Sequence, residues 1–117
     1  MNDQTIEQEI QAKGKTAARV TPADIEENIL NEYYFTAADG AIYANLGAIQ
    51  PELIALELNL LTFCVLVLRN GFTVTGESAC VSPENFDAEI GRRVARENAV
   101  NKMWPLLGYA LKDKMAG

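Results

Sequence analysis

Hydrophobic positions gather most densely in the middle of the chain. Leu61 to Leu68 is a nearly unbroken apolar run, bounded by Arg69-Asn70-Gly71, and Phe72-Thr73-Val74-Thr75 follows with β-branched and aromatic residues. That pattern predicts a β-hairpin over about 61–76. Asn-Gly is the favoured dipeptide of a two-residue type I′ turn, in which both central residues need φ > 0. With such a turn Arg69 pairs with Phe72, Leu68 with Thr73, Val67 with Val74, Leu66 with Thr75 and Val65 with Gly76. One face then carries Phe63, Val65, Val67, Phe72 and Val74 and is expected to lie on the core. The other carries Thr62, Cys64, Leu66, Leu68, Thr73 and Thr75, a second apolar face expected at a subunit interface or a ligand wall.

On either side the spacing turns helical. Ile6 and Ile10, four apart, predict a short amphipathic helix over Thr5 to Lys13, ended by Gly14. Thr21-Pro22-Ala23-Asp24 reads as a helix start, with Thr21 at the N-cap, Pro22 in the first turn and Asp24 where a capping box usually has Glu. Ile25, Ile29 and Leu30 give that helix its apolar edge. Tyr33-Tyr34-Phe35 begins a strand, and Thr36 to Gly40 reads as a turn. Residues 41–60 fit either a loop with a short helix after Pro51 or a further strand. Ser82-Pro83-Glu84 is again a cap, a proline and an acid, so a helix is expected over about 83–103, starting there or at Asp87. Pro105 is expected to break or kink it beside Trp104, and a last amphipathic helix follows over about 105–115. The fold class is therefore α+β: an antiparallel sheet built on the central hairpin and packed against C-terminal helices, with one or two short N-terminal helices.

At 117 residues the chain is expected to be one domain, with a core large enough to fold and small enough to gain from oligomerisation. Charge divides it. Residues 1–60 hold 10 acids and 3 bases, and residues 61–117 hold 6 acids and 7 bases. A net charge of −6 disfavours non-specific nucleic-acid binding, which needs a broad basic footprint, but leaves room for a small anion in a local basic pocket. The acidic, polar N-terminus is unlike a secretory signal, and no apolar run approaches a membrane span. Cys64 and Cys80 read as free thiols in a reducing compartment, with a redox pair as the alternative. Histidine is absent. Without it there is no ordinary Ser-His or Cys-His pair, and the acids lack metal-site spacing, so neither an enzyme nor a metal or cofactor is expected.

The arginines carry the candidate chemistry. Arg93 has Glu89 four residues before it and Glu97 four after, a surface ion-pair residue by default. Arg92 and Arg96 stand one turn apart, and Arg96 has no acid three or four residues away. Two guanidiniums so placed fit around a phosphate, but by spacing alone they more often belong to a solvated face or an ion pair with another element. Phe63, Phe72 and Phe86 offer rings, and Thr73, Thr75 and Asn85 offer polar contacts, although each also has an ordinary role in a core, a strand or a cap. Trp104 reads as a packing residue, and Glu26 and Glu27 read as part of a solvated face.

Residues 62–91, TFCVLVLRNGFTVTGESACVSPENFDAEIG, followed by Ala95-Arg96-Glu97-Asn98-Ala99 and Trp104-Pro105-Leu106 with Gly108-Tyr109, resemble a family of small tailed-phage accessory proteins. That family includes the first type of Thoeris anti-defence proteins. The resemblance spans residues 61–111, and the acidic half 1–60 is only loosely similar. It implies a non-catalytic sponge in the cytoplasm of the infected bacterial host. Such a protein forms a homodimer or a hexamer and sequesters cyclic ADP-ribose isomers, in some members also the cyclic oligonucleotide signals of CBASS. It further implies Arg92 and Arg96 as a phosphate clamp, Phe63 against base or ribose, and Thr75 and Asn85 as polar contacts. The alternative is a phage accessory protein that binds a host or phage protein through the second apolar face of its hairpin.

Overall fold

A computed structural model describes residues 2–117. The chain runs through α1 (Asp3–Ala12), α2 (Pro22–Asn28), β1 (Ile29–Thr36), α3 (Ala37–Ala44), β2 (Leu61–Leu68), β3 (Thr73–Ala79) and α4 (Ala88–Ala116). Short 3-10 turns lie at Pro51–Leu53, Leu56–Leu60 and Pro83–Asn85. The strands form an antiparallel sheet in the order β1-β2-β3, and α4 packs along one face of it, chiefly on β2 and β3. This is the α+β arrangement that the sequence pattern predicts.

Local chemistry accounts for most of the boundaries. Thr21 and Asp24 make the expected capping box at the start of α2, each side chain taking the other's backbone N–H. Thr36 and Asp39 repeat the same box and start α3 where a simple turn is expected. Gly14, at φ +66°, follows α1. Residues 41–60 continue α3 to Ala44 and then pass through the 3-10 turns without adding a strand; no residue from 45 to 60 is buried.

The hairpin register differs from expectation by one residue. The Leu68 N–H donates to the Phe72 carbonyl (2.8 Å) and the Gly71 N–H to the Leu68 carbonyl (2.9 Å), leaving a three-residue loop, Arg69-Asn70-Gly71. Gly71 sits at φ +89° while Asn70 stays at negative φ, so a type I′ turn is excluded and Gly71 takes the left-handed bulge position. Val67 therefore pairs with Thr73, Leu66 with Val74, Val65 with Thr75 and Cys64 with Gly76. The faces change accordingly. Thr62, Cys64, Leu66, Leu68, Val74 and Gly76 are the buried side, beneath α4; Phe63, Val65, Val67, Thr73 and Thr75 lie on the open side, and Phe72 is 55% exposed beside the turn.

Gly76 shows why α4 comes so close. A Cβ there would overlap the Ala95 carbonyl and the Ala99 amide and lie 2.9 Å from Ala99 Cα. Gly91, Ala95 and Ala99, four residues apart, present the small side of the helix to the sheet, and Gly91 rests over Thr62. Cys64, Leu66, Val74, Val100, Met103 and Ile25 complete the core. The two expected C-terminal helices are one continuous α4 of 29 residues, with Pro105 inside it. Asn101 and Pro105 are both exposed, so the carbonyl deprived of its helical partner has water within reach. Met103 and Leu107 pack on the core on either side of the proline and hold the helix together.

Candidate functional site

Asp87 caps α4 by accepting from the Ile90 N–H (3.0 Å), and Gly91 seats the first turns over Thr62. Arg92 thus projects beside the end of β1. It lines a small pocket of about 110 Å³ together with Phe86, Phe35, Thr36, Thr62 and Asp39. An aromatic residue, two threonines and a guanidinium there can hold a sugar or ring fragment carrying an anion. Asp39 is partly committed, since one of its oxygens accepts the Thr36 N–H at 3.0 Å. The volume suits one fragment rather than a whole nucleotide.

Arg96 lies differently. Its side chain is 28% exposed, and its guanidinium grips two carboxylates, Glu26 (2.7 and 3.1 Å) and Glu32 (2.9 and 3.3 Å). Glu26, expected on a solvated face, is therefore one arm of an ion-pair hub that ties α2, β1 and α4 together. The Tyr34 hydroxyl donates to Glu32 at 2.7 Å. The Arg96 hydrogen bonds hold Glu32 below the usual carboxylate range, and Glu26 and Glu32 in turn push Arg96 upward. Burial pushes Tyr34 upward, reinforced by its bond to Glu32, and burial likewise raises the Cys64 thiol. Both cysteines are free. Beside this hub a broader polar hollow of about 680 Å³ opens between the start of α1, α2 and α4, with Arg93, Arg96, Glu97, Asn101 and Trp104 on its walls. Its charges are mixed. Arg93 pairs with Glu89 at 3.5 Å, as its spacing predicts.

The five expected site residues fall into separate places. Arg92 and Arg96 stand on α4, on the covered side of the sheet. Phe63 and Thr75 lie on the open side, with Phe63 against Phe35 (ring centroids 5.7 Å apart), and Asn85 is exposed in the 3-10 turn before α4. One chain does not gather all five around a single ligand. Phe35, Thr36 and Thr62, which do meet Arg92, are absent from the sequence-derived set; the Thr36-x-x-Asp39 capping pattern is the signal that could have placed two of the lining residues together. Trp104 packs as expected, its indole N–H donating to Asp3 at 3.2 Å. Among the described residues there is no group of three or more His, Cys, Asp or Glu side chains placed to hold a metal, and no helix is long and apolar enough to cross a membrane.

The sequence pattern of the phage protein (N4 Gp49/phage Sf6 gene 66) family matches residues 20–115, which takes in every element except α1. The chain belongs to this family. Membership thus extends beyond the hairpin–helix half and includes α2, β1 and the Arg96 hub. No curated protein and no solved structure is similar enough to match it.

Proposed function

We propose that this phage-family protein is a counter-defence sponge, binding a cyclic nucleotide alarm signal in the cytoplasm of the infected host without cleaving it. The observation that carries the reading is the Arg92 pocket, which Arg92, Phe86, Thr36 and Thr62 line, with Phe35 at its edge. Cyclic ADP-ribose isomers have the matching chemistry, a pyrophosphate closed on riboses and a base, and cyclic di- or trinucleotides share it. The pocket holds only part of such a ligand. Two chains in a homodimer or hexamer supply the remainder, which also gives Phe63, Thr75 and Asn85 a way to reach the ligand. Arg96 contributes only if phosphate displaces Glu26 or Glu32 from it. Calorimetric titration with cyclic ADP-ribose isomers and cyclic oligonucleotides, followed by mass spectrometry of ligand released by heat, tests this. Tight binding with the ligand intact supports the sponge; no heat with any of them, or turnover exceeding the protein, overturns it.

One observation favours a second reading, a protein-binding accessory factor. The open sheet face presents Tyr33 (55% exposed), Phe35, Val65 and Val67, with Gly40 of α3 beside the Phe35 ring at one end. This is the opposite hairpin face from the one expected to bind a partner. Capture of a host or phage protein that Val65→Glu abolishes, with no small-molecule binding, selects that reading.

A further inference from the structure

Helix α1 stands on the molecule without closing against it. None of its residues is buried, and it lies outside residues 20–115, which match the family pattern. Two polar ties hold it. Arg19 donates to both oxygens of Glu7, one of them at 2.8 Å, and the Trp104 indole N–H donates to Asp3 at 3.2 Å. Between these ties Ile6 and Ile10 line an unfilled gap of about 230 Å³ together with Val20, Pro22 and Trp104. Protein interiors leave few voids larger than a water, because an empty apolar volume forfeits contacts on every side. A helix that served only to cover Trp104 would settle until those side chains met. Here the ties at the rim fix it with the space still open. A gap of that size takes one ring or a short alkyl chain, since larger ligands fill about 300–1,000 Å³.

Charge selects among the small molecules that could enter. Glu7 is answered in full, because Arg19 takes both its oxygens and Gln11 donates to one of them at 2.7 Å. Glu9 pairs with Lys13 at 3.0 Å. Asp3 has no ion-pair partner among the described residues, and the indole N–H that one of its oxygens accepts is uncharged. Arg93 and Arg96 line the adjoining hollow but not this gap, and both are engaged by carboxylates. An anion entering here meets Asp3 and Glu7. A cation meets an uncompensated carboxylate beside an indole, and ring and carboxylate attract it together.

We infer that the gap beneath α1 is a binding site for a small primary amine that carries one ring or a short alkyl chain. The ammonium sits on Asp3 beside Trp104, and the apolar part fills the space among Ile6, Ile10, Val20 and Pro22. The ligand completes a contact that α1 leaves open, so binding also fastens the helix to the body. The site shares no residue with the Arg92 pocket, and its ligand is opposite in charge to a phosphate. It therefore stands apart from the sponge reading.

Trp104 is the single tryptophan of the chain, so its fluorescence reports on the gap directly. Titrating the full chain at neutral pH with phenethylamine is expected to give a saturable change by about 10 mM, the weak affinity proper to a ligand of few atoms. Hydrocinnamate, with the same ring and the opposite charge, should give none, and phenethyl alcohol should bind at least about tenfold more weakly than the amine. Asp3→Asn changes an exposed side chain and should weaken the amine about tenfold. Hydrogen exchange of the α1 amides should slow when the amine is present. Ile10→Phe fills the gap and should abolish the response while α1 stays as protected as in the wild type. Should that variant loosen α1, Val20→Phe makes the same test from the other wall. No saturable response, an equal response to the anion or the alcohol, full affinity in Asp3→Asn, or a response that survives filling of the gap overturns the site.

Discussion

Leu66 and Val65 are neighbours on one strand, yet they belong to different worlds. Leu66 is fully buried against α4, and Val65 is half-buried on the opposite face of the sheet. The covered face is built for close approach: Gly76, Gly91, Ala95 and Ala99 remove side chains wherever helix and sheet touch. The open face is built from larger residues, Tyr33, Phe35, Phe63, Val65 and Val67, with Phe35 and Phe63 packed on each other. Both faces are apolar; only one has its complement within the chain. Hydrophobicity therefore marks surface to be covered, and small residues mark where this chain itself does the covering.

The sharpest way to break that contrast is Gly76→Val. The new side chain has to displace helix backbone rather than a flexible side chain, so a loss of at least about 3 kcal/mol is expected in chemical denaturation. A smaller change would mean that α4 can lift away from β3. Next comes the neighbouring pair. Leu66→Ala should cost about 2–5 kcal/mol from lost burial and the cavity left behind, and Val65→Ala less than about 1 kcal/mol at low protein concentration. If the cost of Val65→Ala rises with protein concentration, a second copy covers the open face, because association adds to apparent stability.

The sequence displays the elements far better than it displays which face is which. Thr21-Pro22-x-Asp24 carries its boundary in local chemistry and α2 starts at Pro22, whereas Ser82 makes no side-chain cap, Pro83 opens only a 3-10 turn, and α4 starts after the Asp87 cap. The hairpin is legible as a hairpin. Its register is not, because Asn70-Gly71 serves a two-residue I′ turn and a three-residue bulged loop equally well, and a one-residue slip exchanges the faces of β3 against β2. Alternating Leu and Val on β2 gives no polar contrast to decide the matter. The deciding signal lay further off, in the small-residue spacing of Gly91, Ala95 and Ala99, which needs a glycine opposite. The Arg96 partners were illegible for another reason: Glu26 and Glu32 are 70 and 64 residues away along the chain.

That hub supplies the next expected effect. Arg96→Ala should cost about 1–2 kcal/mol at neutral pH, a modest figure because Glu26 and Glu32 are 57 and 36% exposed and partly screened by water. Its pH dependence has a definite sign. Glu32 is held below its unfolded value, so its contribution is complete above the ordinary carboxylate range of about 4.3 and is lost as pH falls through the lower folded value. The stability gap between wild type and Arg96→Ala should therefore be widest at neutral pH and narrow under acid. A gap that stays constant into strong acid would mean that Arg96 stabilises by packing alone.

The smallest expected effect on stability is the most useful for the site. Arg92 is exposed and has no ion-pair partner among the described residues. Arg92→Ala should leave the denaturation midpoint within about 0.5 kcal/mol of wild type. Four residues on, the same substitution at Arg96 removes a structural tie, so any loss of ligand there mixes two causes. Calorimetry on Arg92→Ala is free of that ambiguity: binding should fall by at least about tenfold, the loss of one charge-assisted contact to phosphate. Unchanged affinity in a stable Arg92→Ala protein would take the pocket at the end of β1 out of the site and leave the Arg96 hub, opened by displacing a carboxylate, as the place where an anion enters.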